Sequence, residues 1–490
     1  MTRLVPTPEQ QDILDAVAAG GTVAISACAG TGKTSTLRLI AEQSPDRRML
    51  YVAFNKAVQV DAAASFPKNV KSSTAHALAY PRFGSRLAKR LEGPRRTGQF
   101  NASVLGAASF GAGEVRLDPA AVATMAMATV ARFCRSADTE VNASHFSAPE
   151  GLGAAYVEPL TDQVVALAQK AWADLTAGPA GKLRPTHDTY LKQWQLSEPH
   201  LGYDVVLYDE AQDADACVAD VVSRQSHAQL VAVGDSAQAI YGWRGAGDFL
   251  ATVAARHRLA LTQSWRFGQA IADEANVWLG VVGSGVRVVG NPSRGSVLSK
   301  LAHPDAVLCR SNAATIDEVL AAHTTGTKVH LEGDGTEMLA LARAAQRMQD
   351  GQPAEHPELA AFPDWAAVQA YAENDPNGTD LAVAVRMIDG YGAGTVIEAI
   401  EGTVPAVDAQ LVVSTAHKSK GLEWAKVRIA DDFRQPRDPK SGELLPIPKD
   451  MAMLGYVAVT RAERCWTQAA WLGPMATLTP WAKAPQDVRS

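Results

Sequence analysis

The run Ala27-Cys28-Ala29-Gly30-Thr31-Gly32-Lys33-Thr34 decides how the rest of the chain is read. It follows a short apolar segment, Val23-Ala24-Ile25-Ser26, and leads into a helical stretch from Lys33. A strand, a glycine-containing loop and a helix in that order make a phosphate-binding loop. Small residues let backbone N–H groups close on the anion, and the helix N-terminus favours negative charge. In such a loop Lys33 reaches the β and γ phosphates of a nucleotide, and the Thr34 hydroxyl binds Mg²⁺. Ala27 stands where the strict pattern has glycine.

Further apolar runs extend the pattern on both sides of this loop. Residues 49–54, 205–208 and 230–233 read as buried strands, and 306–309, 411–414 and 427–430 as a second set. Apolar strands separated by helical stretches indicate parallel α/β sheets. The span 80–200 is Ala-rich, helical over 118–134 and 155–177, and too long for a loop, so it reads as an inserted helical subdomain. A smaller, mostly helical insertion covers 333–404. The expected plan is α/β: two P-loop NTPase lobes, each carrying a helical insert. Residues 1–80 and 200–268 form the first lobe, 81–199 its insertion, 269–332 and 405–490 the second lobe, and 333–404 its reduced insertion.

The strand Val205-Val206-Leu207-Tyr208 delivers Asp209-Glu210-Ala211-Gln212-Asp213 at its C-terminal end, where ligands sit in α/β sheets. Two adjacent carboxylates at that point divide the work. Asp209 can hold Mg²⁺, and Glu210 can polarise water for attack on a γ-phosphate. A surface acidic cluster would not explain the apolar strand before it.

Bulk properties narrow the class. At 490 residues the chain is too long for one ordinary core. Its 47% hydrophobic and 20% charged residues are those of a soluble globular protein. No apolar run is long enough to span a bilayer, and Met1 to Gln10 lack the apolar core of a signal peptide, so no membrane partner is expected. The cysteines Cys28, Cys134, Cys217, Cys309 and Cys465 are scattered with no CxxC pair. That pattern suggests no zinc or iron–sulfur site and fits a reducing cytoplasm. Net charge is −6, mildly against bulk polyanion binding, although local fields matter more than the total. The most basic stretch, Arg82 to Arg96, holds six basic residues against Glu92, and its plainest reading is a solvated helix face.

Together, Asp209-Glu210-Ala211-Gln212-Asp213 and the block Gly234 to Ala246 resemble the UvrD/Rep-type superfamily 1 helicases. The resemblance continues in family order. Pro8-Glu9-Gln10 resembles the Q motif, Ala53 to Ala57 motif Ia, and Thr74 to Ala79 motif Ib. Leu261 to Arg266 resembles motif IV, Thr415 to Trp424 motif V, and Tyr456 to Ala462 motif VI. A phosphate loop alone is weakly specific, whereas this ordered series is highly specific.

The resemblance implies two RecA-like lobes with ATP and Mg²⁺ held between them. It assigns Gln10 to the adenine, Trp265 to stacking on it, and Glu423 to the ribose. Gln238 senses the γ-phosphate, and Arg266 and Arg461 come to that phosphate as arginine fingers. Phe54, Tyr241 and Trp243 match positions that stack on bases of single-stranded DNA, since every base has a π-face. His76 and His417 read as structural histidines. The expected activity is an ATP-dependent DNA helicase or translocase acting on single-stranded DNA and single/double-strand junctions. The family direction, 3′→5′, is not written in the residues themselves.

Departures from the family pattern are instructive. Motif Ia is one residue short, the stretch 449–454 lacks the usual acidic-then-arginine run, and the second insertion is small. These features resemble F-box-type DNA helicases and compact phage or defence-system relatives. The chain ends soon after motif VI, which leads to the expectation of no nuclease domain or large partner-binding tail. A second reading is an ATPase motor subunit with protein partners in a repair, recombination or anti-phage complex. A third, a small-molecule P-loop kinase, leaves the second lobe, Arg461 and the block from Gln238 to Trp243 without purpose.

Overall fold

The computed structural model describes residues 5–467 apart from 95, 113, 114, 150, 151, 241–246, 334, 355, 357, 358, 360, 361, 375–378, 439 and 440. The chain divides into two compact units. One comprises Met1–Thr262 with Ala366–Ala382, the other Gln263–Trp365 with Val383–Ser490.

The strands of the first unit are β1 (Val23–Ala27), β2 (Met49–Ala53), β3 (Val70–Thr74), β4 (Phe110–Ala112), β5 (Val115–Leu117), β6 (Val205–Tyr208), β7 (Gln229–Gly234) and β8 (His257–Leu261). Six of them form one parallel sheet in the order β3-β2-β6-β7-β1-β8, and β4 pairs with β5 as a separate antiparallel hairpin. The pleat sends alternate residues to opposite faces. Val23, Ile25, Tyr51, Val205, Leu207 and Val231 pack with Ile13 of helix α1 (Pro8–Ala18) and Leu37 and Ile40 of helix α2 (Lys33–Gln43). Ala24, Leu50, Val206, Tyr208 and Ala232 pack on the other face with Trp194 and Phe249. A sheet covered on both faces accounts for the continuous apolar runs of its central strands.

The helical insertion has a core of its own. The helices Pro119–Arg135 and Ala154–Thr176 bury Val122, Ala126, Val130 and Phe133 against Leu160, Val164, Ala168 and Ala171. Arg90 corrects the reading of the basic stretch. Its guanidinium is turned inward, donating to the carbonyls of Asp174, Leu175, Gly178 and Leu183 and pairing with the Asp174 carboxylate. It thus satisfies carbonyls at the C-terminal end of the helix Ala154–Thr176 that have no partner within that helix. Arg82, Arg86 and Lys89 remain exposed.

In the second unit, β9 (Val297–Leu298), β10 (Ala306–Cys309), β11 (Val329–Leu331), β12 (Leu411–Thr415), β13 (Trp424–Ile429) and β14 (Ala462–Thr467) form another all-parallel sheet, ordered β11-β12-β10-β13-β14-β9. The helices Gln269–Val282 and Lys449–Val459 pack through buried Trp278 against Gly455. A Cβ at Gly455 would stand 2.9 Å from the indole, so only glycine fits there. Between β11 and β12 in the sequence lie Thr336–Gln349 and Ala393–Glu401 of this unit, while most of Trp365–Asn374 and the start of Thr379–Tyr391 fall in the first unit. The units change at Thr262–Gln263, so Trp265 and Arg266 fold with the second unit, a few residues earlier than the boundary expected at 268.

Candidate nucleotide site

All six strands of the first sheet are parallel, so β1, β6 and β7 end at one edge. The loop after β1 is held by Cys28 N–H donating to the Leu261 carbonyl (3.0 Å) and Thr31 Oγ1 donating to the Cys28 carbonyl (2.8 Å). Gly30 and Gly32 take φ of 72° and 83°, a left-handed region that glycine enters freely, and Gly32 is the residue from which α2 starts. Ala27, Cys28 and Ala29 are buried, so Ala27 ends the strand without the glycine of the strict pattern. Thr34 is exposed in the first turn of α2.

Lys33 Nζ lies 2.7 Å from Glu210 Oε1. Burial works against the lysine charge, but Glu210, Asp209 and Asp235 around it outweigh that and hold its pKa above the ordinary value. The Asp209 pKa is also raised, which for a carboxylate disfavours the charge. Burial and the neighbouring Glu210 charge push its pKa up, against the pull of Lys33 and of a hydrogen bond from Tyr51. Tyr51, fully buried on β2, donates from its hydroxyl to Asp209 Oδ2 at 2.6 Å, and the Glu210 N–H donates to Asp209 Oδ1 at 2.9 Å. Glu210 itself has φ 50°, a left-handed conformation rare for a non-glycine residue. Two crowded carboxylates, with a hydroxyl-bearing helix start on the same sheet edge, suit a hard divalent cation. Asp209 retains acceptor capacity on both oxygens, so the residues fit Mg²⁺.

The edge continues into the turn after β7. Gln238 Nε2 donates to Asp235 Oδ2 at 2.6 Å, and both residues are buried. Gln212, which sequence reasoning passed over, joins this turn to Glu210.

Gln10 is buried on α1. Its Oε1 accepts from Thr7 N–H, and its Nε2 donates to Thr36 Oγ1 of α2 at 3.0 Å. That bond ties the Q motif to the phosphate-loop helix. Its neighbour Glu9 was missed: its carboxylate accepts from both N–H and Oγ1 of Thr262, 253 residues away. Phe54, just beyond β2, is 49% exposed, so it is not core packing. Tyr241 and Trp243 lie outside the described residues.

A second cluster lies within the second unit. Arg266 pairs with Glu423 and donates through Nη1 to the Thr460 carbonyl at 2.9 Å. Arg461 is buried, donating to the carbonyls of Val457 (3.0 Å) and Leu422 (3.3 Å) and to Thr460 Oγ1 (3.2 Å). Trp265 is 46% exposed. Three segments far apart in sequence, around 266, 423 and 461, thus meet. His76, half-exposed in the first unit, lies 3.4 Å from Asp188, as a structural histidine would.

A family model described as an AAA domain matches residues 10–244. F-box DNA helicase protein 1 of Schizosaccharomyces pombe is 30% identical, over 94% of this chain and 56% of that protein. F-box DNA helicase 1 of Gallus gallus is 32% identical, over 94% of this chain and 48% of that protein. These likenesses support the resemblance to UvrD/Rep-like superfamily 1 helicases. The chain spans about half the length of these two relatives. A solved chain titled "The structure of PRRSV helicase" aligns over 95% of this chain and 56% of its own, at 12% identity and TM-score 0.33, too low to bear on the fold. Among the described residues no helix is long and apolar enough to cross a membrane.

Proposed function

We propose that this chain is a UvrD/Rep-type, ATP-dependent DNA helicase or translocase that works 3′→5′ on single-stranded DNA. The observation that carries the reading is the meeting of Lys33, Asp209, Glu210, Asp235 and Gln238 at one sheet edge. Lys33 grips the β and γ phosphates, and Glu210 orients the attacking water and takes its proton. Asp209 and Thr34 would hold Mg²⁺, which would supply positive charge to the phosphates. Gln238 senses the γ-phosphate, Gln10 and Trp265 face the base, and Glu423 the ribose. Arg266 and Arg461 stabilise the charge of phosphoryl transfer. Phe54, Tyr241 and Trp243 stack on DNA bases. The names of the two relatives, both DNA helicases, support DNA as the substrate.

The test measures phosphate release with and without single-stranded DNA, then strand displacement on 3′-tailed, 5′-tailed and blunt duplexes. DNA-stimulated turnover with unwinding from the 3′ tail is expected. Turnover that DNA does not change would overturn the reading. The small second insertion favours one alternative, a motor subunit of a recombination or anti-phage complex. Stimulated turnover with no displacement from any tail would select it.

A further inference from the structure

Gln212 is fully buried between two parts of the site. Its Nε2 donates to Glu210 Oε2 at 2.6 Å and to Asp213 Oδ2 at 2.9 Å. Its Oε1 accepts from the Asp235 N–H at 3.0 Å. Both amide hydrogens are therefore spent on carboxylates, and the oxygen faces a donor. A flipped amide would set oxygen against two carboxylates and nitrogen against an N–H, so the orientation is fixed by chemistry. Asp235 in turn accepts from Gln238 Nε2. A continuous path thus runs Glu210–Gln212–Asp235–Gln238 through the buried sheet edge. Gly234 makes the approach feasible: a Cβ there would stand 2.1 Å from Gln212 Oε1.

We propose that Gln212 is a positioning residue that holds the Glu210 carboxylate in its working orientation and ties that orientation to the Asp235–Gln238 turn. The proposal rests on the reading of Glu210 as the base. It gives the bare left-handed backbone at Glu210 a purpose. The carboxylate leaves the strand on an unusual trajectory and needs a second fixed point besides Lys33. A donor on the far oxygen supplies it, and movement of the β7 turn reaches the base through a single amide.

The test uses the full chain. Gln212→Met keeps the volume and removes both hydrogen-bonding ends. It should lower kcat by roughly 10- to 100-fold, the scale of a misplaced reacting group, while ATP KM and the Kd of a fluorescent ATP analogue change by less than about 2-fold. Gly234→Ala should lower kcat in the same way, because its methyl displaces the amide. In a Gln212→Ala background the 2.1 Å clash is gone and only Leu250 Cδ1 (3.0 Å) and the Ala211 backbone N (3.1 Å) stay close, so adding Gly234→Ala should cost kcat less than it does in the wild type. Wild-type kcat in Gln212→Met overturns the proposal, as does a Gly234→Ala loss of the same size with and without Gln212. If Gly234→Ala does not fold, Gln212→Met alone decides. Glu210→Gln, run beside them, separates the two layers. If it still turns over ATP, the reading of the base fails; if it is inactive and Gln212→Met is normal, only the role of Gln212 fails.

Discussion

Lys33 and Glu210 are bound to each other, ammonium to carboxylate at 2.7 Å, so the proposed phosphate-gripping residue and the proposed base neutralise one another. On that proposal, phosphate takes Lys33 away from Glu210 and so couples binding to release of the base.

Two substitutions at this pair should therefore separate. Lys33→Ala should abolish both turnover and tight nucleotide binding. Glu210→Gln should cut turnover by roughly 10²–10⁴-fold, the usual share of a general base. It should bind the nucleotide at least as well as wild type, because the competing ion pair is weakened. Equilibrium titration with a fluorescent ATP analogue, beside phosphate release, checks this. Weaker binding by Glu210→Gln would show that the ion pair does not compete.

Arg461 carries a structural burden as well as its proposed one. Its guanidinium serves Val457, Leu422 and Thr460 while buried. Arg461→Ala should then cost about 1–3 kcal/mol of stability by leaving buried acceptors unpaired. It should also lower kcat by roughly 10³-fold or more with little change in nucleotide Kd. Arg461→Lys should recover part of the stability and little of the rate, because an ammonium lacks the planar fork. Melting curves and kcat measured together check both halves, and a lysine variant of full activity would remove the phosphate role.

Phe54 offers the clean DNA variant because nearly half of it is exposed. Phe54→Ala should weaken single-stranded DNA binding by about 1–3 kcal/mol, the range for one lost stacking platform. Melting temperature and DNA-free turnover should hold. Fluorescence anisotropy with a labelled oligonucleotide reads the first, calorimetry the second. Unchanged affinity would take Phe54 out of the DNA path.

Asp188 sets a pH signature. A hydrogen bond from His76, then the Arg135 charge, hold its pKa below the ordinary value despite burial. A depressed carboxylate stabilises the fold above its unfolded pKa, about 3.9, and that contribution is lost as pH falls through the folded value. Asp188→Asn should melt lower than wild type at pH 7, and the gap should close as pH drops from 5 toward 3. A gap that stays constant over that range would exclude Asp188 as its source.

Local patterns made most of the first site readable, because the phosphate loop and the acidic block are each contiguous and each follow a buried strand. What escaped was set by distance or by polarity. Tyr51 meets Asp209 across 158 residues, and Glu9 meets Thr262 across 253. No window of sequence contains either pair. Val70–Thr74 and His257–Leu261 are edge strands, partly exposed and interrupted by polar residues, so they lack the apolar run that marked their neighbours. Arg90 sat in a charged stretch whose average hid one inward-facing side chain. Gln212 did carry a signal: a glutamine flanked by carboxylates after a buried strand needs a partner for its oxygen, and only a donor from another strand could supply one.

The backbone at Glu210 has an evolutionary consequence. A left-handed φ costs an ordinary residue roughly 1–2 kcal/mol, and glycine escapes that cost. Glycine at 210 would also lift the negative charge that raises the Asp209 pKa. Glycine there would also strip Lys33 of its carboxylate partner and leave Gln212 without an acceptor, so relief of the backbone does not by itself make a sturdier protein. Selection on melting temperature would thus weigh backbone relief against these two lost contacts at a single position.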